Sequence, residues 1–328
     1  MTRQTLEKYQ VLVYLAAIGI GLAAGILLPG WTGFLESMLW PLLALLLYTT
    51  FTQVPLAHLR QAFTDPRFVV AAAIGNFLLI PLVVWGLMSL VPDEPAIRLG
   101  VLLVLLVPCT DWFITFTHLG GGDTKHAIAF SPVALLLQVI LLPVYLWAFL
   151  GEDFIATVAQ REMLTAFSGL IVLPLLAAFV TEKLIEKHDD RRQMRLLDRL
   201  AWFPVPLLAV VVLIIAATQV GLVASSIGSL GRLLPVFVIF LAAAGIIALI
   251  LAQMFKLPPS QGRVLAFSLG TRNSFVVLPL ALALPASFEL AVVAIVFQSL
   301  VELLGMVAYL WWVPNKLFPM HPVNGNPG

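Results

Sequence analysis

The segment Val107–Phe113 has the sequence VPCTDWF, and it interrupts an apolar run that begins at Val101. It contains Cys109, the only cysteine in 328 residues, directly after a proline and two positions before Asp111. Because proline lacks the N–H that continues a helix, we expect the helix to break at Pro108. A second interruption lies between two apolar runs in the other half of the chain and has the sequence GTRNS, Gly270–Ser274.

The composition places both interruptions in a membrane protein. Hydrophobic residues make up 61% of the chain, charged residues only 11%, and the mean hydropathy is +1.04. Soluble domains contain roughly 25% charged residues, so most of this chain must face lipid. The net charge of +1 does not predict nucleic acid as a partner. A single cysteine excludes an intrachain disulfide and zinc sites built on two cysteines, and we expect no cofactor or resident metal.

The hydropathy pattern predicts ten membrane-spanning helices, each of about 20 residues. They are residues 10–29, 37–54, 67–91, 97–119, 126–150, 162–182, 201–221, 231–255, 261–285 and 288–312. With both termini in the cytoplasm, the outer loops hold only Arg98, Arg161 and Arg232, and the remaining loop Lys and Arg residues are cytoplasmic. This bias follows the positive-inside rule and predicts a multi-pass protein of the plasma membrane.

The two halves of the sequence resemble each other. Tyr145-Leu146-Trp147 recurs as Tyr309-Leu310-Trp311, 164 residues later. The tetrapeptide PLLA (41–44 and 206–209) and the tripeptide TQV (52–54 and 218–220) recur at nearly the same offset. Because five spans per half is an odd number, the halves must have opposite orientation, as in secondary transporters with inverted repeats.

The predicted fold is therefore an all-α membrane protein of ten transmembrane helices in two inverted five-helix repeats. Residues 1–181 contain the first repeat, and 182–200 form a charged cytoplasmic linker. Residues 201–314 hold the remainder of the second repeat, whose first helix is 162–181, and 315–328 form a disordered tail.

The broken spans 4 and 9 occupy equivalent positions in the two halves, and we expect them to cross. Such paired breaks mark transporter binding sites, because unwound backbone must line a protein-walled cavity. The constant offset places Cys109 opposite Asn273 and Pro108 opposite Arg272. A charge at membrane depth costs about 2.5–3.5 kcal/mol. Two alternatives remain open: Asp111 and Arg272 pair with each other, or they contact the substrate or a coupling proton.

Glu302 lies deep in span 10 without a charged partner in its own helix. Burial disfavours the charged form of a lone carboxylate, which suits a group that binds and releases a proton. The alternative is a structural glutamate that stays protonated. The equivalent residue of the first half, Gln138, cannot titrate.

These features resemble the bile acid:sodium symporter superfamily, and within it the arsenite efflux permeases. Pro108-Cys109-Thr110 matches a Pro-Cys-Thr motif of span 4 in that family, and Val301-Glu302 matches its glutamate in span 10. The resemblance implies that the cysteine and the glutamate are essential for moving As(III) out of the cell in exchange for protons. The sequence departs from the family pattern at Asp111-Trp112-Phe113 and at Arg272-Asn273.

We therefore expect a secondary active transporter, not an enzyme, that exports arsenite or antimonite by proton exchange. Cys109 is the candidate As(III) ligand because thiolates prefer soft centres. Thr110, Asn273 and Ser274 would complete a weak, reversible site. The alternative is a sodium-coupled symporter of an organic anion, in which Arg272 holds a carboxylate and Asp111 and backbone carbonyls hold sodium. A receptor or membrane enzyme is less consistent with a chain that has no catalytic triad or HExxH motif.

Overall fold

The computed structural model describes residues 10–54, 64–154, 167–186 and 199–319, and within them all regular secondary structure is helical. The first half contains α1 (Gln10–Leu27), α2 (Thr32–Phe51), α3 (Pro66–Leu87), α4 (Pro95–Leu106), α5 (Trp112–Leu119) and α6 (Thr124–Phe154). The second half contains α7 (Leu173–Glu186), α8 (Pro204–Thr218), α9 (Val220–Met254), α10 (Pro259–Gly270), α11 (Ser274–Leu282) and α12 (Glu289–Trp312). Short π-helical segments are present at Gly75–Leu79, Phe167–Val172 and Val313–Leu317.

The helices form a multi-pass membrane protein. Five helical segments of the described ranges are long and apolar enough to cross a bilayer, and shorter apolar helices accompany them. Large apolar side chains such as Leu27, Trp85 and Met254 are exposed on the outside of the bundle. Exposure of this kind is expected where the surrounding medium is lipid.

Two predicted boundaries were wrong. Helix α9 begins at Val220 and not at residue 231, because Gly221, Gly228 and Gly231 continue the helix on an open surface. Each glycine costs a helix only about 1 kcal/mol, which a long packed helix tolerates. The tail is not disordered from residue 315, since Val313–Leu317 is helical and Phe318 is buried. Residues 320–328 and linker residues 187–198 lie outside the described ranges.

Helices α1 and α8 approach each other closely through glycine. A methyl group added at Gly21 would lie 2.3 Å from the Leu213 carbonyl oxygen, and one at Gly25 would lie 2.2 Å from the Ala217 carbonyl oxygen. Small residues allow helix backbones to meet in this way inside a membrane. The contact fixes α1 against α8, and both helices line the narrow cavity beside Glu302 that is described below.

One tertiary contact occurs twice, 164 residues apart. The Tyr145 hydroxyl donates a hydrogen bond of 2.6 Å to the carbonyl oxygen of Phe77. The Tyr309 hydroxyl donates to the carbonyl oxygen of Leu241. The offset is the same for donor and acceptor (309 − 145 = 241 − 77 = 164), and it also relates α4 to α10 (259 − 95 = 270 − 106 = 164).

Candidate functional site

Both predicted breaks are present as short extended segments. Helix α4 ends at Leu106, and Val107 adopts extended backbone angles. Helix α10 ends at Gly270, and Thr271 is also extended. Since an extended residue cannot make the helical hydrogen bonds, each break leaves N–H and C=O groups that need other partners.

The two breaks provide these partners for each other. Pro108 and Arg272, which the sequence offset placed at equivalent positions, face each other in an antiparallel bridge. The Cys109 N–H donates to the Thr271 carbonyl oxygen at 3.2 Å, and the Asn273 N–H donates to the Val107 carbonyl oxygen at 2.8 Å. This reciprocal pair joins the two broken helices at a single crossing.

Asn273 and Thr110 lie on either side of the bridge and are fully buried. The Asn273 side-chain oxygen caps α11 by accepting from the Val276 N–H at 3.2 Å. Its amide nitrogen lies 3.4 Å from the Thr110 hydroxyl oxygen, and Ser131 donates to the Thr110 carbonyl oxygen. These predicted residues therefore hold the crossing together as well as lining it.

The thiol of Cys109 lies against a carboxylate. Its sulfur is 3.1 Å from Asp111 Oδ1, and the cysteine is only 2% exposed. A thiol has one proton, so it donates and the carboxylate oxygen accepts. Asp111 itself is partly exposed and lines a small cavity of about 30 Å³ with Gln10, Gln53 and Thr115.

The guanidinium of Arg272 bonds an amide oxygen and three backbone carbonyl oxygens. Its Nη2 is 3.0 Å from Asn76 Oδ1 and 2.8 Å from the Leu269 carbonyl oxygen. Further bonds of 3.0 and 3.3 Å reach the carbonyl oxygens of Ser268 and Leu105. No ion pair between Arg272 and Asp111 is present among the described residues, so the alternative in which the two charges pair is not observed.

Glu302 binds the backbone of the second break. Its Oε2 accepts from the Arg272 N–H at 2.9 Å and from Gln298 Nε2 at 2.8 Å, and the residue is 4% exposed. Because Gln298 precedes it by one helical turn, the two side chains lie on the same face of α12. The carboxyl group is therefore held at the crossing rather than in lipid.

A narrow cavity of about 30 Å³ lies beside this carboxyl group. Its polar lining is Arg272, Ser274, Ser299 and Glu302, and the two serine hydroxyls are 2.6 Å apart. Trp112 lies in the wall of this cavity and also in the wall of the cavity beside Asp111. Its ring stacks on Tyr14, with centroids 5.8 Å apart and an interplanar angle of 11°.

Comparison with known proteins assigns this helical architecture to a family. Residues 40–226, more than half of the chain, match the family described as Sodium Bile acid symporter family. The chain belongs to this family. At that level it is a membrane transporter and not an enzyme.

This family member is also similar to one named bacterial protein over nearly its whole length. It is 22% identical over 339 aligned residues to the arsenical-resistance protein Acr3 of Corynebacterium glutamicum. The alignment covers 97% of this chain and 92% of that relative.

Two residues at the crossing, Asn76 and Gln298, were missed from sequence. Asn76 fixes the Arg272 guanidinium, donates to the Ser268 hydroxyl at 3.0 Å, and lies in the π-helical turn Gly75–Leu79. The sequence feature that could have identified Asn76 is a single amide beside a glycine in an apolar span. The π-helical turn is a second feature, because such turns are frequent at functional sites. Gln298 was identifiable only by its spacing of four residues from Glu302.

The two halves differ at the position of the carboxyl group. Glu302 has an N–H to bind at Arg272, but the equivalent residue of the first half is Pro108, which has none. Gln138, the counterpart of Glu302, is 2% exposed, and neither its oxygen nor its nitrogen has a hydrogen-bond partner within the described residues. Of these two positions, both within the described residues, only Glu302 bonds the backbone of a break through a titratable side chain.

Proposed function

We propose that this chain is a proton-coupled exporter of trivalent arsenite or antimonite. The single observation that carries the proposal is a buried thiol, Cys109, held 3.1 Å from a carboxylate at the crossing of two broken membrane helices. Sulfur is the softest ligand among protein side chains and favours a soft centre such as As(III). The similarity to an arsenical-resistance protein supports the same substrate.

The proposed capture step uses Cys109 and Asp111 together. The sulfur attacks the arsenic of neutral arsenous acid, an As–S bond forms, and one As–O bond breaks. The thiol proton passes to Asp111 and then to the departing hydroxide, which leaves as water, so arsenic is neither oxidised nor reduced. Because only one thiol is present, a single As–S bond is formed and the capture remains reversible.

Glu302 is the proposed proton carrier. In its ionised form Oε2 accepts two hydrogen bonds, one of them from the Arg272 backbone. A proton on Oε2 would turn an acceptor into a donor and break the bond to that N–H. Protonation of Glu302 would thereby move the second break, which also faces Cys109 through Thr271. If the proton and the substrate occupy the crossing only in turn, protons cannot cross the membrane without arsenite export.

The proposed scaffold is ten transmembrane helices in two inverted five-helix repeats, with the broken helices as spans 4 and 9. The repeated tyrosine contact and the matching bounds of α4 and α10, all 164 residues apart, support it. We place the boundary between the halves within residues 162–200. The distribution of Lys and Arg supports cytoplasmic termini and a location in the plasma membrane.

The rival function is sodium-coupled uptake of an organic anion, which the family name favours. In that function Arg272 would present its guanidinium to a substrate carboxylate. Its Nη1 and Nη2 atoms instead bond protein oxygens at 2.8 to 3.3 Å. The two protons of Nη2 are therefore taken by protein oxygens, whereas the Nε–H has no partner among the described residues and is the donor left for a substrate carboxylate.

The decisive experiment measures arsenite uptake into everted membrane vesicles that are acidified inside by respiration. We expect uptake that is lost when the whole proton-motive force, pH difference and voltage together, is abolished, that is indifferent to sodium, and that is lost in Cys109→Ser. Full arsenite uptake by Cys109→Ser would show that the Cys109 thiol is not needed for transport. Uptake that follows a sodium gradient would favour the organic-anion symporter.

Asp111→Asn provides a matched variant for the capture step. Asparagine Oδ1 still accepts the thiol hydrogen bond, but the amide cannot carry the thiol proton. We expect Asp111→Asn to slow arsenite transport while the protein keeps its melting temperature. Unchanged transport in this variant would remove Asp111 from the proposed proton path.

A further inference from the structure

The breaks leave three backbone carbonyls free around the Arg272 side chain. In a continuous helix, the Ser268 oxygen would accept from the Arg272 N–H and the Leu269 oxygen from the Asn273 N–H. Those N–H groups instead donate to Glu302 and to Val107. The Leu105 oxygen is freed in the same way, because the Cys109 N–H donates to Thr271.

These oxygens form a small site, and the Arg272 guanidinium occupies it. Nη2 of Arg272 has two protons but faces three oxygens, at 2.8, 3.0 and 3.0 Å. The Asn76 oxygen is oriented toward it because the Asn76 nitrogen donates to Ala72 O and Ser268 Oγ. A site with more oxygens than protons is built for a compact cation as well as for a guanidinium. Carbonyls at half-helix ends hold sodium in other transporters.

No carboxylate contacts the guanidinium within the part of the chain that the structure describes. Glu302 accepts a hydrogen bond from the Arg272 backbone N–H, not from its guanidinium. The charge is instead stabilised by the carboxyl ends of α4 and α10 and by the Phe240 ring, whose centroid is 5.4 Å from Cζ. The oxygens that contact the guanidinium are therefore all neutral carbonyl or amide oxygens.

We propose that the Arg272 guanidinium is a built-in cation that occupies a monovalent-cation site at the crossing. It takes the place of a bound sodium or potassium ion, so the wild-type transporter needs neither. Removal of the side chain uncovers a site for a sodium-sized ion or for free guanidinium. The transport readout of this inference rests on the proposed function, whereas the binding readout does not.

Transport is measured in everted vesicles with choline, sodium, potassium or millimolar guanidinium as the added cation. Wild-type arsenite uptake should be the same in all four. Arg272→Ala, which empties the site, should lose about tenfold in choline and recover with sodium or guanidinium. Arg272→Met fills the same space without charge, so it should lose activity and recover with neither.

Binding is measured without substrate, as the melting temperature of the purified full-length protein. The melting temperature of Arg272→Ala should rise with sodium or guanidinium at fixed ionic strength, with choline as the reference. The melting temperatures of the wild type and of Arg272→Met should not change with sodium or guanidinium. If wild-type vesicles do not transport arsenite, the proposed function fails while this binding test still stands.

Two results would overturn the built-in cation. One is an Arg272→Ala protein that no cation stabilises or restores. The other is equal activity in choline of Arg272→Lys, which keeps a charge, and Arg272→Gln, which does not. The second comparison decides the question even if Arg272→Ala fails to reach the membrane.

Discussion

Glu302 and the backbone of Arg272 are joined by a hydrogen bond of 2.9 Å between Oε2 and the N–H. The bond connects a titratable side chain of α12 to the extended segment that pairs with the Cys109 segment. A change at the carboxyl group therefore reaches the thiol through only two residues of backbone. This connection is the basis of the first prediction.

Glu302→Gln should abolish arsenite uptake while the protein stays folded. The amide oxygen of glutamine still accepts the Arg272 N–H, but the side chain can no longer take up a proton. The measurement is arsenite uptake together with alkalinisation of acidified everted vesicles. Glu289→Gln is the control, because Glu289 is exposed in the first turn of the same helix. This variant should transport arsenite normally. Retained uptake in Glu302→Gln would assign proton coupling to another group.

Trp112→Ala should produce a proton leak in the absence of substrate. Trp112 lines both small cavities, and loss of its ring would join them beside Tyr14. The leak is measured as decay of a pH gradient in vesicles without arsenite. Trp85→Ala is the matched control, since this exposed tryptophan lies on the outside of the bundle. Gradients of equal lifetime in the two variants would contradict a barrier at Trp112.

Gly25→Ala should destabilise the protein by about 1–3 kcal/mol, the usual cost of overpacking. The added methyl group would meet the backbone oxygen of Ala217 at 2.2 Å, and backbone cannot move aside cheaply. Gly19→Ala on the same helix meets nothing within 4 Å and should be neutral or stabilising. Thermal unfolding in detergent compares the two variants, and equal melting temperatures would mean that α1 and α8 are less closely packed.

Tyr145→Phe and Tyr309→Phe should each cost about 0.5–1.5 kcal/mol, because each removes one hydrogen bond to a backbone oxygen. The double variant should show the sum, since the two contacts belong to different halves. Melting temperatures of the two single variants and the double variant test this equivalence. A cost confined to one tyrosine would weaken the proposal of two structural repeats.

Asp65 should make stability depend on pH below neutrality. Burial raises the pKa of its carboxyl group, but hydrogen bonds from Gln261, from the Phe68 N–H and from His126 outweigh burial and lower it overall. A lowered folded pKa means that this stabilisation is present above the unfolded pKa and is lost as pH falls through the folded pKa. Melting temperature against pH should therefore fall less steeply for Asp65→Asn than for the wild type. Asp93→Asn, at a highly exposed carboxylate, should follow the wild-type curve.

The crossing itself was largely predictable from sequence. A proline, a glycine and polar residues interrupted two apolar runs at equivalent positions, and a constant offset of 164 paired Pro108 with Arg272. Backbone in a membrane has few ways to satisfy its polar groups, so such interruptions have a narrow range of structural outcomes. All seven predicted site residues lie at or beside this crossing: Cys109, Thr110, Asp111, Arg272, Asn273, Ser274 and Glu302.

The directions of side chains were not predictable. The sequence offered Asp111 as a partner for Arg272, but the guanidinium turns to carbonyls that become available only where the helices end. Asn76 is distant in sequence and joins the site through a π-helical turn that hydropathy does not reveal. The early start of α9 was missed because glycine and arginine indicate a loop in sequence, whereas a long helix accommodates both.

The unequal pair Gln138 and Glu302 has an electrical consequence. Of the two equivalent buried positions, only Glu302 can carry a proton, so under the proposed exchange these positions admit one positive charge for each neutral arsenous acid that leaves. The exchange is then electrogenic, and each cycle gains about 2.3 kcal/mol per 100 mV of membrane voltage. The membrane voltage alone would then drive arsenite export, even with no pH difference across the bilayer.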